Sequence, residues 1–465
     1  MARFLILIAA MVMLAAPGIR ASDVSSTSHA SLIAELLRDP TPADWKALSR
    51  FDQTLTRRDF ETRLDNVFDP EHGLQPYLHF GDDSVAVYPN PAHKDDPVLV
   101  LHFAPSDSAV RPRSNTFRSP AEFRRQSPAA ESNLPLAGLR VVIEPADIGG
   151  HWAEKEDRSV DFRGYGRINE GDLNLIVGRL LRNKLTQCGA TVFLVRDRAE
   201  PVLPIKADEL LGPAEQILRT QPSSLPESFR RRTAHMRADD PAQLRIAAEL
   251  LLTKTIETRA RVALVRRSFT PDVTIVIQHD ATPDSADGGF VHLNRNIFFI
   301  LGAYTPAELS EPEQRFRLLT KLLEDTTPIE ATVAAAIAAR FKSVTGFPPV
   351  LYGDSSNTRL ILPGNPYVVA RNLEFNREHD GPVVVTEPYF MNQPETLARL
   401  LAGDYPGKRV LAGKLYGSIF QEYADCVVAG LLDAYVSRTS LLSARPASLR
   451  QETMREEGWF RSWQR

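Results

Sequence analysis

The stretch Leu139-Arg-Val-Val-Ile-Glu-Pro-Ala-Asp147 is a short apolar run that spills into a polar loop, and its reading decides the fold. Val141, Val142 and Ile143 are β-branched, which suits a buried strand. Downstream, helical spacing recurs at Leu173, Ile176, Val177, Leu180, Leu181 and Leu185, and Gly189 stands where a helix C′ residue belongs. Ala190-Thr-Val-Phe-Leu-Val195 then reads as a second strand. Strand, helix, strand in this order predicts a parallel sheet with a crossover helix. The same grammar continues with a long helix over about 241–267 and an apolar strand, Val273-Thr-Ile-Val-Ile277. Phe290–Leu301 supplies further strand, Ile329–Phe341 an Ala-rich helix, Pro382-Val-Val-Val-Thr386 a buried strand, and about 414–436 a last helix. The expected class is α/β, a mostly parallel sheet flanked by helices, over residues 136–437.

Outward from this core the composition changes. Residues 22–103 read as a small N-terminal α+β unit, with helical spacing at Leu32, Ile33, Leu36 and Leu37 and strand-like runs at Tyr77–Tyr88 and Pro97–Phe103. Residues 104–135 are rich in Ser, Pro and Arg and poor in large apolar groups, so a linker is expected. Residues 200–245 are polar and Pro-punctuated and read as an insertion, and residues 438–465 as a loose Arg-rich tail. At the start, Arg3 precedes an apolar run from Phe4 to Ala16, broken by Pro17-Gly18 and followed by Ile19-Arg-Ala21. That run is too short to span a bilayer, so residues 1–21 are expected to be a secretory signal peptide and the mature chain a secreted, periplasmic protein without an integral membrane segment.

Charge narrows the partners. At 465 residues with a formal net charge of −3, the chain gives no electrostatic reason to expect nucleic-acid binding. Its two cysteines, Cys188 and Cys426, lack the paired spacing of a Cys-based zinc site and are expected to be unpaired thiols. No Gly-rich phosphate loop is present; Gly149-Gly150 alone is too weak a signal.

The chemistry gathers at strand ends. Glu144 and Asp147 follow the first strand, His279 the Val273–Ile277 strand and Glu387 the Pro382–Thr386 strand, while Glu170 precedes a helix. In an open α/β sheet, ligands bind beyond the carboxyl ends of the strands, so these side chains are placed to converge. A hydrolytic zinc site needs about three N/O ligands and an open position, plus a carboxylate to move protons. Each residue also has a bland reading: Glu170 as a helix-capping carboxylate, His279 as a satisfied strand-end histidine, Glu387 as a solvated carboxylate. Glu154, Glu156 and Asp157 form a charge run expected on a solvated face, and His235, His292 and His379 are expected at the surface or in loops.

Segments 139–196, 259–283 and 366–397 resemble the zinc-dependent N-acetylmuramoyl-L-alanine amidases of the amidase-3 type. Glu144-Pro-Ala-Asp-Ile-Gly-Gly150 stands where the family has Asp-Pro-Gly-His-Gly-Gly, and Glu170-Gly-Asp-Leu-Asn-Leu175 where a ligand Glu heads a helix. Val195-Arg196 matches the close of the following strand, Val273-Thr-Ile-Val-Ile-Gln-His-Asp-Ala281 the strand with the last ligand His, and Val385-Thr-Glu-Pro-Tyr-Phe-Met-Asn392 the motif of the catalytic Glu. The resemblance implies a Zn2+ cofactor held by Asp147, Glu170 and His279, with Glu387 as general base and acid and Arg371 as ion-pair partner or oxyanion stabiliser. It also implies peptidoglycan as the partner, through its muramic acid and stem peptide; whether an activator protein takes part is left undecided. The chain departs from the family at the first ligand, where Asp147 replaces His. Three readings stay open: Asp147 binds the metal, His151 reaches in past Gly149-Gly150, or the metal is lost. Competing functions are a metal-free peptidoglycan-binding or regulatory protein on the same fold, and a zinc hydrolase of another amide.

Overall fold

The structure is a computed structural model that describes residues 29–38, 42–126, 134–162, 164–220, 225, 227–281, 289–352 and 357–436. The expected signal peptide and C-terminal tail lie outside the described residues. In the N-terminal part, strands β1 (Leu78–Phe80), β2 (Ser84–Val87) and β3 (Leu99–His102) form an antiparallel meander. The main sheet uses β4 (Arg140–Pro145), β7 (Thr191–Leu194), β8 (Val273–Ile277), β9 (Ile297–Ile300), β10 (Arg359–Leu360), β11 (Val368–Ala370) and β12 (Val383–Glu387), in the order β10-β11-β9-β12-β8-β4-β7. Two small hairpins stand apart, β5 (Ser159–Phe162) with β6 (Gly166–Asn169), and β13 (Arg409–Leu411) with β14 (Lys414–Tyr416).

Four of the six pairings in the main sheet are parallel. The chain is therefore α/β with a mostly parallel sheet, as its strand–helix alternation predicts. β8 is buried along its whole length, the pattern of a strand covered on both faces. One face carries Val141, Ile143, Ile275, Ile277 and Val384 into a core shared with the helices Glu170–Gln187, Thr327–Thr345 and Ile419–Tyr435. The other face carries Ala146, Val276, Phe299, Val369, Val383 and Val385.

The parallel set β12, β8, β4, β7 places four carboxyl ends on one edge. Register keeps them level: Pro145 pairs with Ile277, and Ile277 with Thr386. The chain continues this alignment past the strands, where the Ala146 N–H donates to the Ile277 carbonyl at 3.1 Å and the Gln278 N–H to the Thr386 carbonyl at 3.0 Å. Asp147, His279 and Glu387 are delivered together for that reason.

The flanking segments differ from expectation. Residues 104–126 do not trail as a linker but are docked. Arg113 Nε donates to the Leu323 carbonyl at 2.9 Å, Asn115 Nδ2 to the Glu324 carbonyl at 2.8 Å, and Arg118 with Arg140 brackets the buried Asp272. Polar anchoring replaces the apolar burial that the composition lacks. Nor is the N-terminal unit self-contained. Its Phe51, Phe60, Phe68, Leu99 and Leu101 share a core with Leu318, Leu319, Leu322 and Leu323 of the helix Pro312–Glu324. The helix His29–Leu36 packs instead with Leu210, Phe229, Leu250 and Leu251, so residues 205–256 form a helical subcore of their own. The expected last helix starts later, at Ile419, because Lys414–Tyr416 pairs as β14. Cys188 and Cys426 are both free thiols, Cys426 buried and Cys188 half-buried. Among the described residues, no helix is long and apolar enough to cross a membrane.

Candidate functional site

Asp147 sits where the chain leaves β4 and adopts a left-handed backbone, φ 60°, which an Asp tolerates better than most residues. The turn is clamped from several sides. Arg196 Nη2 donates to the carbonyls of Asp147 and Pro145, and the buried Glu156 accepts from the Ile148 N–H at 2.5 Å. Burial, followed by the charge of Asp147, pushes Glu156 up to about 8. Glu156 therefore departs from the solvated face expected of it; Glu154 and Asp157 are exposed.

Glu170 is the first residue of the helix Glu170–Gln187, and two glycines let that helix abut the Asp147 turn. A Cβ on Gly171 would lie 2.5 Å from the Ile148 carbonyl carbon, and one on Gly149 would lie 2.0 Å from Asp172 Oδ1. Gly150 N–H donates to the same Asp172 oxygen at 3.0 Å. The helix start and the loop thus interlock through backbone.

His279 follows β8 and is 3% exposed. Its backbone N–H donates to Glu170 Oε1 at 3.1 Å. Its ring Nδ1 lies 2.8 Å from Asn174 Oδ1. Asn174 Nδ2 is committed to the Ala146 carbonyl at 2.8 Å, so its oxygen faces the imidazole and Nδ1 carries the proton. Nε2 then presents a lone pair. Burial, with Tyr389 and Tyr423 rings beside it, pushes the imidazole down to about 3 and keeps it neutral.

Glu387 ends β12. Burial, then the neighbouring Asp280 carboxylate, pushes it up to about 8, against the pull of Arg371 and Arg158. Arg371 follows β11, which runs antiparallel to β12, so it starts from the opposite end of the sheet. Its guanidinium reaches back over Phe299, 5.8 Å from the ring centroid, and acts on Tyr352, Glu387 and Asp280 by charge.

The cation beside the carboxylates was not legible as such in the sequence. Arg158 Nε lies 3.1 Å from Asp147 Oδ1 and its Nη1 3.8 Å from Glu170 Oε2. Burial alone would raise Asp147, but Arg158 and Lys254 outweigh it and hold the carboxyl below its ordinary value. Glu170, buried beside Asp147, is pushed well above the usual range. Asp147 Oδ2 is buried and has no hydrogen-bond partner. A cluster of buried carboxylates demands a counter-charge, and that rule is the signal that could have found Arg158.

Two further expected residues lie elsewhere. His151 is exposed, its ring 4.9 Å from that of Trp152, and does not reach the Asp147 turn. Glu144 points away from the cluster, fully buried against Arg261 Nη1 at 3.1 Å and His379 Nε2 at 3.3 Å, so His379 is a buried structural histidine rather than a surface one. His235 and His292 are exposed.

Two carboxylates, a neutral imidazole with its Nε2 lone pair presented, and an orphaned buried Asp147 oxygen are donor types suited to a zinc ion. Their present arrangement serves a guanidinium instead: among the described residues, no group of three or more His, Cys, Asp or Glu side chains is already gathered to hold a metal.

No protein-family model and no curated protein matches the chain. Among solved structures, it is similar to the N-acetylmuramoyl-L-alanine amidase AmiC2 of Nostoc punctiforme, at 13% identity over 64% of this chain and 97% of that one, with a TM-score of 0.34. It is also similar to the amidase Ami1 of Mycobacterium smegmatis, at 16% identity over 64% and 98% of the two chains, TM-score 0.32. The CwlD amidase of Clostridioides difficile, solved in complex with the GerS lipoprotein, gives 12% over 64% and 98%, TM-score 0.33. Likeness at this level assigns neither family nor activity.

Proposed function

We propose that the chain is an exported hydrolase of peptidoglycan that cleaves the amide bond between N-acetylmuramic acid and L-alanine, with a zinc ion held by Asp147, Glu170 and His279. One observation carries the reading: Glu170 and His279, far apart in sequence, meet at one edge of the sheet, with the His279 N–H on Glu170 Oε1 at 3.1 Å. The Asn174–His279 hydrogen bond supports it, because it leaves Nε2 as the imidazole's donor atom. A bound zinc ion supplies Lewis acidity to a substrate carbonyl and acidifies water.

The remaining roles fall to the chain. Glu387 lies half-buried at the same edge with its carboxyl pushed up to about 8, which suits a group that takes a proton from attacking water and returns it to the leaving amine. Arg371, set over the Phe299 ring with its charge acting on Glu387, orients that carboxylate and adds positive charge where an oxyanion develops. The clamps on the Asp147 turn hold it still, so binding spends little on ordering the loop.

Glu387→Gln keeps the shape and removes the proton carrier. It is expected to slow release of alanine-terminated stem peptides from purified peptidoglycan by about 10²- to 10⁴-fold, read by mass spectrometry. Unchanged release would remove Glu387 from the mechanism. A second reading, a metal-free binding protein on the same fold, is favoured by the Arg158 guanidinium on Asp147; it predicts peptidoglycan binding with no release by either protein.

A further inference from the structure

We infer that Tyr165 and Phe290 form an aromatic shelf on the rim of the carboxylate cluster, and that it binds a sugar ring of a polysaccharide of N-acetylated hexosamines. The inference rests on the functional reading above for its ligand class. It assigns recognition of the glycan strand to residues outside the ligand set and the proton transfer.

Placement is the first argument. The β5–β6 hairpin leaves the cluster just after Arg158 and returns to it at Glu170. Val160 stands opposite Ile168, and Phe162 opposite Gly166, on its inner face. Phe162 and Ile168 are buried in the main core, so the hairpin has a firm base. Tyr165 sits at the tip, where its N–H donates to the Phe162 carbonyl at 2.8 Å. Gly164 and Gly166 take up the left-handed backbone on either side, φ 84° and 85°, and spare Tyr165 that strain. β6 has four residues, so the tip lies roughly 15 Å along the strand from Glu170. That is a reach of a few sugar rings.

Phe290 arrives from the other side of the cluster. The residues flanking it are tied to Asn392, downstream of Glu387. Asn392 Nδ2 donates to the Gly289 carbonyl at 2.8 Å, and the Val291 N–H donates to the Asn392 carbonyl at 3.0 Å. The Phe290 ring stacks on Phe162 with centroids 5.8 Å apart and meets Tyr165 edge-on at 6.2 Å. Three rings thus join the hairpin that ends at Glu170 to the segment that follows Glu387. A phenol ring held in this way loses little freedom on binding, yet Tyr165 stays 55% exposed.

Size and charge select the ligand. One exposed tyrosine offers at most about 200 Å² of contact. A stable protein interface buries about 800 Å² on each partner, so the shelf suits a ring-sized group. The hairpin's outer face carries both signs, with Asp161 opposite Arg167 and Arg167 paired with Glu154, so no single-sign field draws an ionic polymer. A pyranose meets both conditions. Its C–H face packs on an aromatic ring, and its hydroxyl and acetamido groups stay at a polar rim. The substrate's own chemistry agrees: the scissile amide joins peptide to sugar, so a glycan strand must leave the site on one side.

The test is an NMR titration of the full chain with chitotetraose, an N-acetylglucosamine oligomer that has no peptide and no muramoyl amide to cleave. Wild type is expected to bind it, and Tyr165→Ala to bind about three- to tenfold more weakly, the range one aromatic contact supplies. Tyr165→Phe keeps the ring and is expected to stay within about twofold of wild type. The dipeptide L-Ala-D-Glu, a sugar-free probe, is expected to distinguish none of the three proteins. No binding of chitotetraose by wild type, or equal binding by Tyr165→Ala, overturns the shelf. So does a loss confined to the dipeptide, which would give the ring to the peptide instead. Stem-peptide release from peptidoglycan alongside any of those results leaves the functional reading intact. Ring-dependent sugar binding without stem-peptide release keeps the shelf and removes the hydrolase reading.

Discussion

Asn174 shows how much of a site is decided by a residue with no chemistry of its own. Its amide is held by the Ala146 carbonyl on one side and directs its oxygen to His279 Nδ1 on the other, so a single side chain ties the end of β4 to the imidazole. Asn174→Ala is expected to lower zinc affinity by about 10- to 100-fold while leaving the secondary structure intact, because the ring loses both its tautomer and its orientation. Equal affinity in a titration of the variant would show that the hydrogen bond does not steer the ring. At this scale, what was legible in the sequence were residues that end strands or head helices: Asp147, Glu170, His279 and Glu387 stand out because a strand-end position has one destination in a parallel sheet. Arg158 and Asp280 were not legible as members of the cluster. Nothing in the local pattern separates Arg158 from the Glu154–Asp157 charge run, and only the burial of its partners gives it meaning. Glu156 was misplaced for the same reason, since one buried carboxylate inside an exposed run leaves no periodic trace.

Among the elements, the helix Thr327–Thr345 carries an unusual load. Glu330 on it is fully buried and accepts from the Val383 N–H at 3.0 Å, fastening the start of β12. Burial pushes its carboxyl up to about 7, despite the opposing pull of Lys321. A carboxyl raised in the folded state favours folding below the unfolded value of 4.5, and that advantage is lost as pH rises through about 7. The loss is on the order of 3 kcal/mol in full. Glu330→Gln keeps an acceptor for Val383 but does not titrate, so its urea midpoint is expected to match wild type near pH 5 and exceed it near pH 8. Parallel midpoints across that range would contradict the account. Elements with a strong period, such as β8 and the helix Glu170–Gln187, were legible from spacing alone. The segment 104–126 was not, because its anchoring to Leu323, Glu324 and Asp272 is polar and long-range and leaves no apolar pattern. Only β14 of the β13–β14 hairpin was absorbed into the expected last helix, since Leu415 is apolar yet exposed.

On the scale of the whole molecule, the sheet is a device for bringing distant segments to one edge. β12, β8 and β4 run the same way side by side, and the helix Glu170–Gln187 returns its first residue to the same place. The N-terminal meander and the 205–256 helices brace this frame from outside, and the latter also supply Lys254, whose charge helps hold the Asp147 carboxyl down. The proposed function requires that Glu170 and His279 act on one ion. Zinc per chain, measured by mass spectrometry on dialysed protein, tests it for wild type, Glu170→Ala and His279→Ala. The expected result is one zinc in the wild type and near-complete loss in each variant alone. Zinc held equally by all three proteins, or by none, would contradict it.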